Sequence, residues 1–99
     1  MRTMLKVTMP VEAGNQAIKE GTMQKVMMAF ANQCKPEAAY FIAEGGDCTG
    51  VFVFDLKDPT TLPSVCEPFF FQLKARVTVT PTMNMEEMKA GIERAMRPM

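Results

Sequence analysis

The chain has 99 residues, the size of one domain with a modest core, so we treat residues 1–99 as a single domain. Lys and Arg total 11 and Asp and Glu total 11, and this zero net charge excludes the strong field that attracts nucleic acid or an anionic membrane. The absence of histidine excludes Ser-His and Cys-His nucleophiles, histidine-ligated metal centres and histidine-ligated haem.

The N-terminal residues 2 to 9 alternate between two faces and predict a first strand that Pro10 ends. This segment, MRTMLKVTMP, lacks the long apolar core of a signal peptide, and no apolar run approaches the ~20 residues that span a bilayer. We therefore expect a cytoplasmic protein with no membrane partner. The three cysteines form no CxxC pair, so we expect reduced thiols that are mostly structural.

A helical segment is predicted after the turn residues Gly14 and Asn15. Its apolar positions recur every four residues up to Phe30, while Gly21 weakens it and Thr22 is a candidate cap for a new start. Proline at position 36 restricts the residue before it, so the helix is expected to end at residues 34 to 36.

Two β-prone segments follow, residues 38 to 44 and 49 to 56, joined by a turn at residues 45 to 47. Together they predict an antiparallel hairpin whose loop is longer than the tightest two-residue kind. The second segment, VFVFDL, is apolar on both sides of the pleat. A strand of this kind needs cover on both faces of its sheet.

The C-terminal half predicts a helix, a strand and a last helix. Asp58 followed by Pro59 is a helix start, and Pro68 predicts a break or kink near Glu67. Residues 74 to 80 alternate as a fourth strand. Asn84 and Glu87 have the spacing of a capping box, and the helix that follows carries an apolar stripe made of Met85, Met88, Ile92 and Met96.

This order predicts an α+β fold, a ferredoxin-like βαββαβ domain with an extra C-terminal helix and a four-stranded antiparallel sheet. Right-handed crossovers place strands one and three in the middle and the main helices on one face. Leu5, Val7, Val77 and Val79 are expected to face those helices. The candidates for covering the other face are the C-terminal helix, a ligand or a second chain, and we favour a homodimer, with higher assembly left open.

Two segments carry a family resemblance: VFVFDLKDP and the later EPFFFQLKARVTV. In the layout of residues 1 to 83 the chain resembles the dimeric α+β barrel superfamily, including muconolactone-isomerase-like and uncharacterised small bacterial proteins. The resemblance implies two sheets packed face to face around a small, often aromatic, molecule. Superfamily members include isomerases, cofactor-free monooxygenases and haem-degrading enzymes. Those that use haem employ a histidine, which this chain lacks, so we expect no cofactor.

The candidate ligand-binding residues lie on the predicted helix-free face. Lys6 and Arg76 would hold an aromatic or unsaturated carboxylate beside an aromatic ring. Alternatively, both cations are solvated at a sheet edge or paired with acids across the dimer. The full candidate set is Lys6, Tyr40, Phe52, Phe54, Arg76 and Thr78.

Other polar residues favour structural roles. Asp55 is a candidate proton acceptor but more typical of a turn, and Cys48 has no predictable base beside it. Glu44 and Asp47 lack a third oxygen-rich partner, so no metal is predicted. No catalytic residue stands out. We predict a small-ligand-binding homodimer, and the alternative is a cofactor-free isomerase or monooxygenase acting on a small aromatic or lactone-like acid.

Overall fold

The computed structural model describes residues 1–98 and shows an α+β domain with four strands and four α-helices. In chain order the elements are β1 (Arg2–Met9), α1 (Val11–Glu20), α2 (Thr22–Cys34), β2 (Ala38–Glu44), β3 (Asp47–Asp55), a short 3₁₀ turn (Pro59–Thr61), α3 (Leu62–Leu73), β4 (Arg76–Pro81) and α4 (Met85–Ala95).

The four strands form one open antiparallel sheet in the order β2-β3-β1-β4. This arrangement is compatible with a ferredoxin-like fold. The register sets Leu5 opposite Phe52 and Lys6 opposite Val51. Because residues directly opposite each other point to the same face, the register sorts every strand residue onto one of two sides.

One face of the sheet is packed against helices. The core there consists of large apolar side chains from β1, β3, α2 and α3 that are almost completely buried, including Leu5, Val7, Phe30, Phe52, Phe54 and Phe69. The Phe30 ring lies 4.8 Å from that of Phe52 and 5.6 Å from that of Phe69, centre to centre. Val77 packs against this core, whereas Val79, on the edge strand, is more than one third exposed.

The predicted first helix is two helices separated by Gly21. Gly21 has φ of 78°, a left-handed conformation that glycine adopts without a steric cost, and it ends α1 and precedes α2. The prediction that Gly14 and Asn15 form a turn was wrong, because both lie inside α1. The Gly14 N–H donates to the Pro10 carbonyl at 2.8 Å, which starts the helix directly after the strand.

The hairpin turn is tighter than predicted. Gly45 and Gly46 have φ of 61° and 85°, and β3 begins at Asp47, so the loop has two residues. A two-residue hairpin of this kind needs positive φ at both central positions, which a Gly-Gly pair supplies. The longer loop predicted over residues 45 to 47 was therefore wrong.

The predicted break at Glu67 is absent, since α3 runs from Leu62 to Leu73 through Pro68. Proline inside a helix removes one backbone hydrogen bond at a cost of about 3 kcal/mol. Four side chains of α3 compensate by packing into the core: Val65, Cys66, Phe69 and Leu73. Burial of this apolar face keeps the helix continuous, because each such side chain contributes about 1.5–3 kcal/mol.

The last helix, α4, stands apart from the rest of the domain. Asn84 and Glu87 form the predicted capping box, with the Glu87 N–H donating to Asn84 Oδ1 at 2.8 Å. Every residue of α4 is exposed. The chain therefore extends 56 × 28 × 19 Å, with a radius of gyration of 15.8 Å, against about 13 Å for a compact domain of 100 residues.

Candidate functional site: the open face of the sheet

The side of the sheet opposite the helices carries the candidate site, which we call the open face. Its residues lie on all four strands: Met4, Lys6 and Thr8 on β1; Ala38, Tyr40 and Ile42 on β2; Val51 and Val53 on β3; and Arg76, Thr78 and Thr80 on β4. One row crosses the whole sheet, with Tyr40 opposite Val51, Val51 opposite Lys6 and Lys6 opposite Thr78. At about 4.8 Å between strands, this row spans roughly 14 Å.

The middle of the open face is apolar. Val51, Val53 and Met4 are only partly buried, and on the edge strand Tyr40 and Ile42 are 67% and 45% exposed. Soluble proteins rarely leave a contiguous apolar patch in water unless it binds something. Met4, Ile42, Val51 and Val53 were missed as candidate site residues. The alternation of residues 2 to 9 was a signal for Met4, which it sets on the side of Lys6, whereas the unbroken apolar run of residues 51 to 54 gave no signal for the valines.

The two candidate cations have partners in the same chain. Lys6 Nζ lies 2.6 Å from a carboxylate oxygen of Glu44. Arg76 is mostly exposed, and its guanidinium lies 3.9 Å from Asp47 at the limit of an ion pair. The acid that pairs with Lys6 lies in its own chain, and pairing across a dimer stays a prediction. Lys6 lies opposite Thr78 and is separated from Tyr40 by Val51, so the open face offers an ammonium, a phenol and a hydroxyl in one row.

Phe52 and Phe54 do not belong to this group. Their rings are 3% and 2% exposed and lie among the rings of Phe30 and Phe69 on the helix-covered face. The prediction that they stand beside Lys6 and Tyr40 was wrong, because the register sets Phe52 opposite Leu5 rather than Lys6. The valines of VFVFDL face the open side, and its phenylalanines complete the core.

Asp55 and Asp58 have structural partners. Asp55 accepts a hydrogen bond from the Met1 ammonium at 2.8 Å, and this contact lowers the pKa of its carboxyl. Asp58 caps the 3₁₀ turn by accepting the Thr60 N–H at 2.9 Å and the Thr60 hydroxyl at 2.8 Å, and these bonds lower the pKa of its carboxyl. Both groups are held as carboxylates by local contacts.

The thiols are free and differ in burial. Cys66 is buried and Cys34 partly buried, and burial raises the pKa of both thiols. A raised pKa keeps them protonated at neutral pH, so neither is an activated nucleophile. Cys48 is exposed at the β2 to β3 hairpin.

A separate groove of about 520 Å³ lies where α2 ends beside the end of β3, and Cys34, Lys35, Lys57 and Asp58 are among its lining residues. Within residues 1–98, no group of three or more Cys, Asp and Glu side chains is arranged to hold a metal ion. No helix of the described chain is both long enough and apolar enough to cross a membrane.

Comparison with protein-family models, with curated proteins and with solved structures finds no match to this chain. The resemblance to the dimeric α+β barrel superfamily therefore stays a prediction. Only the geometry of the open face bears on the function of this chain.

Proposed function

We propose that this protein is a homodimer in which two open faces pack against each other, as in a dimeric α+β barrel, and enclose a site for a small organic acid. The observation that carries the proposal is the apolar centre of the open face, formed by Met4, Val51 and Val53, beside the exposed Tyr40 and Ile42. The function proposed is ligand binding rather than a defined reaction.

The energetics of the apolar centre support pairing. Burying apolar surface contributes about 25 cal/mol per Å², so covering several such side chains on two chains contributes several kcal/mol. Two copies related by a two-fold axis bring the same patch together twice, and this is the commonest symmetry of small oligomers. The net charge of zero adds no overall repulsion between the copies.

The ligand class follows from the polar groups around the apolar centre. Lys6 supplies an ammonium, Tyr40 a phenol, and Thr78 a hydroxyl at the β4 edge. A flat apolar body with one carboxylate matches this combination of apolar and cationic groups. Because Lys6 is already paired with Glu44, the arrangement favours binding over acid-base catalysis.

The assembly is tested by sedimentation equilibrium of the wild type and of Val53→Asp. We expect a dimer for the wild type and a dissociation constant roughly 100-fold weaker for the variant, because an unpaired carboxylate would be buried twice in the interface. The control is Phe71→Asp, which adds the same charge at a residue of α3 that is 79% exposed. A monomeric wild type at micromolar concentration contradicts the proposal.

Ligand binding is tested by calorimetric titration of the dimer with benzoate and cinnamate. We expect saturable binding that weakens about tenfold in Lys6→Met and stays unchanged in Lys25→Met, a lysine on α2. Equal dissociation constants for the two variants, or no binding to the wild-type dimer, contradict the ligand part of the proposal. Conversion of the ligand would instead favour the isomerase or monooxygenase alternative.

A further inference from the structure

The apolar stripe of α4 has no partner within residues 1–98. Met85, Met88 and Ile92 lie on one side of the helix at spacings of three and four, and Met96 continues the line. All four side chains are exposed, Ile92 by 56% and Met85 by 89%. With Met83 and Lys89, residues of this stripe line a shallow apolar concavity of about 450 Å³.

A helix as short as α4 is only marginally stable unless its apolar side packs against other residues. Isolated helices shorter than about 12–15 residues are marginal in water, and α4 has 11 residues. Its contacts with the domain are at its first turn, where Glu87 pairs with Arg2 on β1. The capping box stabilises the start of the helix but leaves the stripe in water.

The connection to β4 directs α4 away from its own sheet. Only Thr82, Met83 and Asn84 separate the strand from the helix. The Thr82 N–H donates to the Arg2 carbonyl at 3.0 Å, and the Arg2 side chain binds both Glu37 and Glu87. With both ends of the connection held, the helix leaves the end of the sheet instead of folding back over the open face.

The geometry points to an exchanged arm: we infer that α4 of each subunit lies against the β2 edge of its partner's open face. That edge carries Tyr40 and Ile42, the most exposed apolar side chains of the face. A second copy is the occupant because one chain presents two unpartnered apolar surfaces that do not meet within it. One two-fold axis brings each stripe to the other chain's edge and covers both surfaces at once.

The exchanged arm adds residues of the partner subunit to the ligand site. Met88 and Ile92 of one subunit cover the side of the site that Tyr40 of the other subunit lines, so the site is complete only in the dimer. Methionine is suited to this position because its flexible thioether adapts to the surface it meets. The inference rests on the proposed dimer and adds that α4 covers the β2 edge of the partner's sheet.

The first test compares dimer dissociation constants for Ile92→Glu and Ala90→Glu by sedimentation. Both variants add one carboxylate to α4, but Ala90 lies on the side of the helix opposite the stripe. We expect Ile92→Glu to weaken the dimer about tenfold or more and Ala90→Glu to leave it within twofold of the wild type. A monomeric wild type overturns the proposed dimer itself, whereas a wild-type dimer with equal constants for the two variants overturns only the arm.

The second test locates the arm by photo-crosslinking. A benzophenone side chain at position 92 is irradiated in dimers mixed from ¹⁴N and ¹⁵N protein, and the linked peptides are identified by mass. We expect cross-links to residues 38–44 with mixed isotopes, which only exchange between chains produces. In a 1:1 mixture about half of the links between chains carry mixed isotopes, so a complete absence of mixed links shows that α4 folds onto its own chain, and mixed links to another segment place the arm elsewhere. Either result overturns the inference.

Discussion

The two faces of the sheet share the same strands but differ in what covers them. On the helix-covered face Leu5, Val7, Phe52 and Phe54 are at most 3% exposed, and four phenylalanine rings contact one another. On the open face the neighbouring Val51 and Val53 are only partly buried, and Tyr40 is two thirds exposed. A strand that is apolar on both sides thus supplies stability through one face and leaves the other partly exposed.

The comparison also separates the polar residues of the domain. Lys6 and Thr78 lie on the open face, whereas among residues 1–98 the buried side chains include no charged group. Charge is tolerated where water or a ligand reaches it and excluded where the helices pack. The two faces should therefore respond differently to substitution.

The largest expected effect is on the helix-covered face. Phe69→Ala should lower the free energy of unfolding by about 3–5 kcal/mol, because it removes a fully buried ring that contacts Phe30 and Phe52. The matched control is Phe71→Ala in the same helix, which should change it by less than about 0.5 kcal/mol. Urea denaturation followed by circular dichroism measures both, and similar losses for the two would contradict the assignment of the core.

The next effect tests how closely the covered face is packed. A Cβ added at Gly50 would lie 2.8 Å from the Phe52 ring and 3.4 Å from that of Phe41, so Gly50→Ala should cost about 1–3 kcal/mol of unfolding free energy. Gly91→Ala in α4 meets no atom within 4 Å and should stabilise its helix by about 0.5–1 kcal/mol. A neutral Gly50→Ala would mean that the rings move aside at no cost.

The open face should yield a smaller electrostatic effect. A double-mutant cycle with Lys6→Met and Glu44→Gln should give a coupling of about 0.2–1 kcal/mol, typical of a pair that stays in water. The cycle is run in the Val53→Asp background so that the face remains solvated. A coupling free energy above about 2 kcal/mol in this background would show that the Lys6–Glu44 pair is shielded from water within one chain. The two faces would then not differ in their exposure to water.

The smallest effect concerns Asp58, which belongs to neither face. Its pKa is lowered by the hydrogen bonds from the Thr60 N–H and hydroxyl, so the stability it contributes is fully present above the ordinary Asp pKa of about 3.9. That contribution is lost as the pH falls through the lower pKa of the folded state. Carboxyl NMR titration should show the Asp58 pKa rising toward its ordinary value in Thr60→Val, while a Thr61→Val control leaves it lowered.

Local patterns predicted the elements whose signals lie within a few residues. The alternation of residues 2 to 9, the β-prone residues 38 to 44 and the Asn84 to Glu87 capping box all appear in the structure at the predicted positions. The predictions of a turn at Gly14, of a break near Pro68 and of a longer hairpin loop were wrong. In the case of Pro68, packing of the α3 apolar face outweighs the unfavourable local preference.

The candidate site was predicted in part. Lys6, Tyr40, Arg76 and Thr78 share the open face because strict alternation assigns each of them a side. Alternation does not assign a side in residues 51 to 54, where every position is apolar. The pairing of Phe52 with Leu5 decided that the phenylalanines point to the helices.

By itself, the sequence determined a net charge of zero, the absence of histidine and the presence of one segment that is apolar on both sides, and it predicted the α+β class. Only the tertiary structure decided which residues lie on each face and that α4 leaves the domain with its stripe exposed. The reason is physical: periodicity is a property of one segment, whereas the side a residue faces depends on the register between strands far apart in the chain.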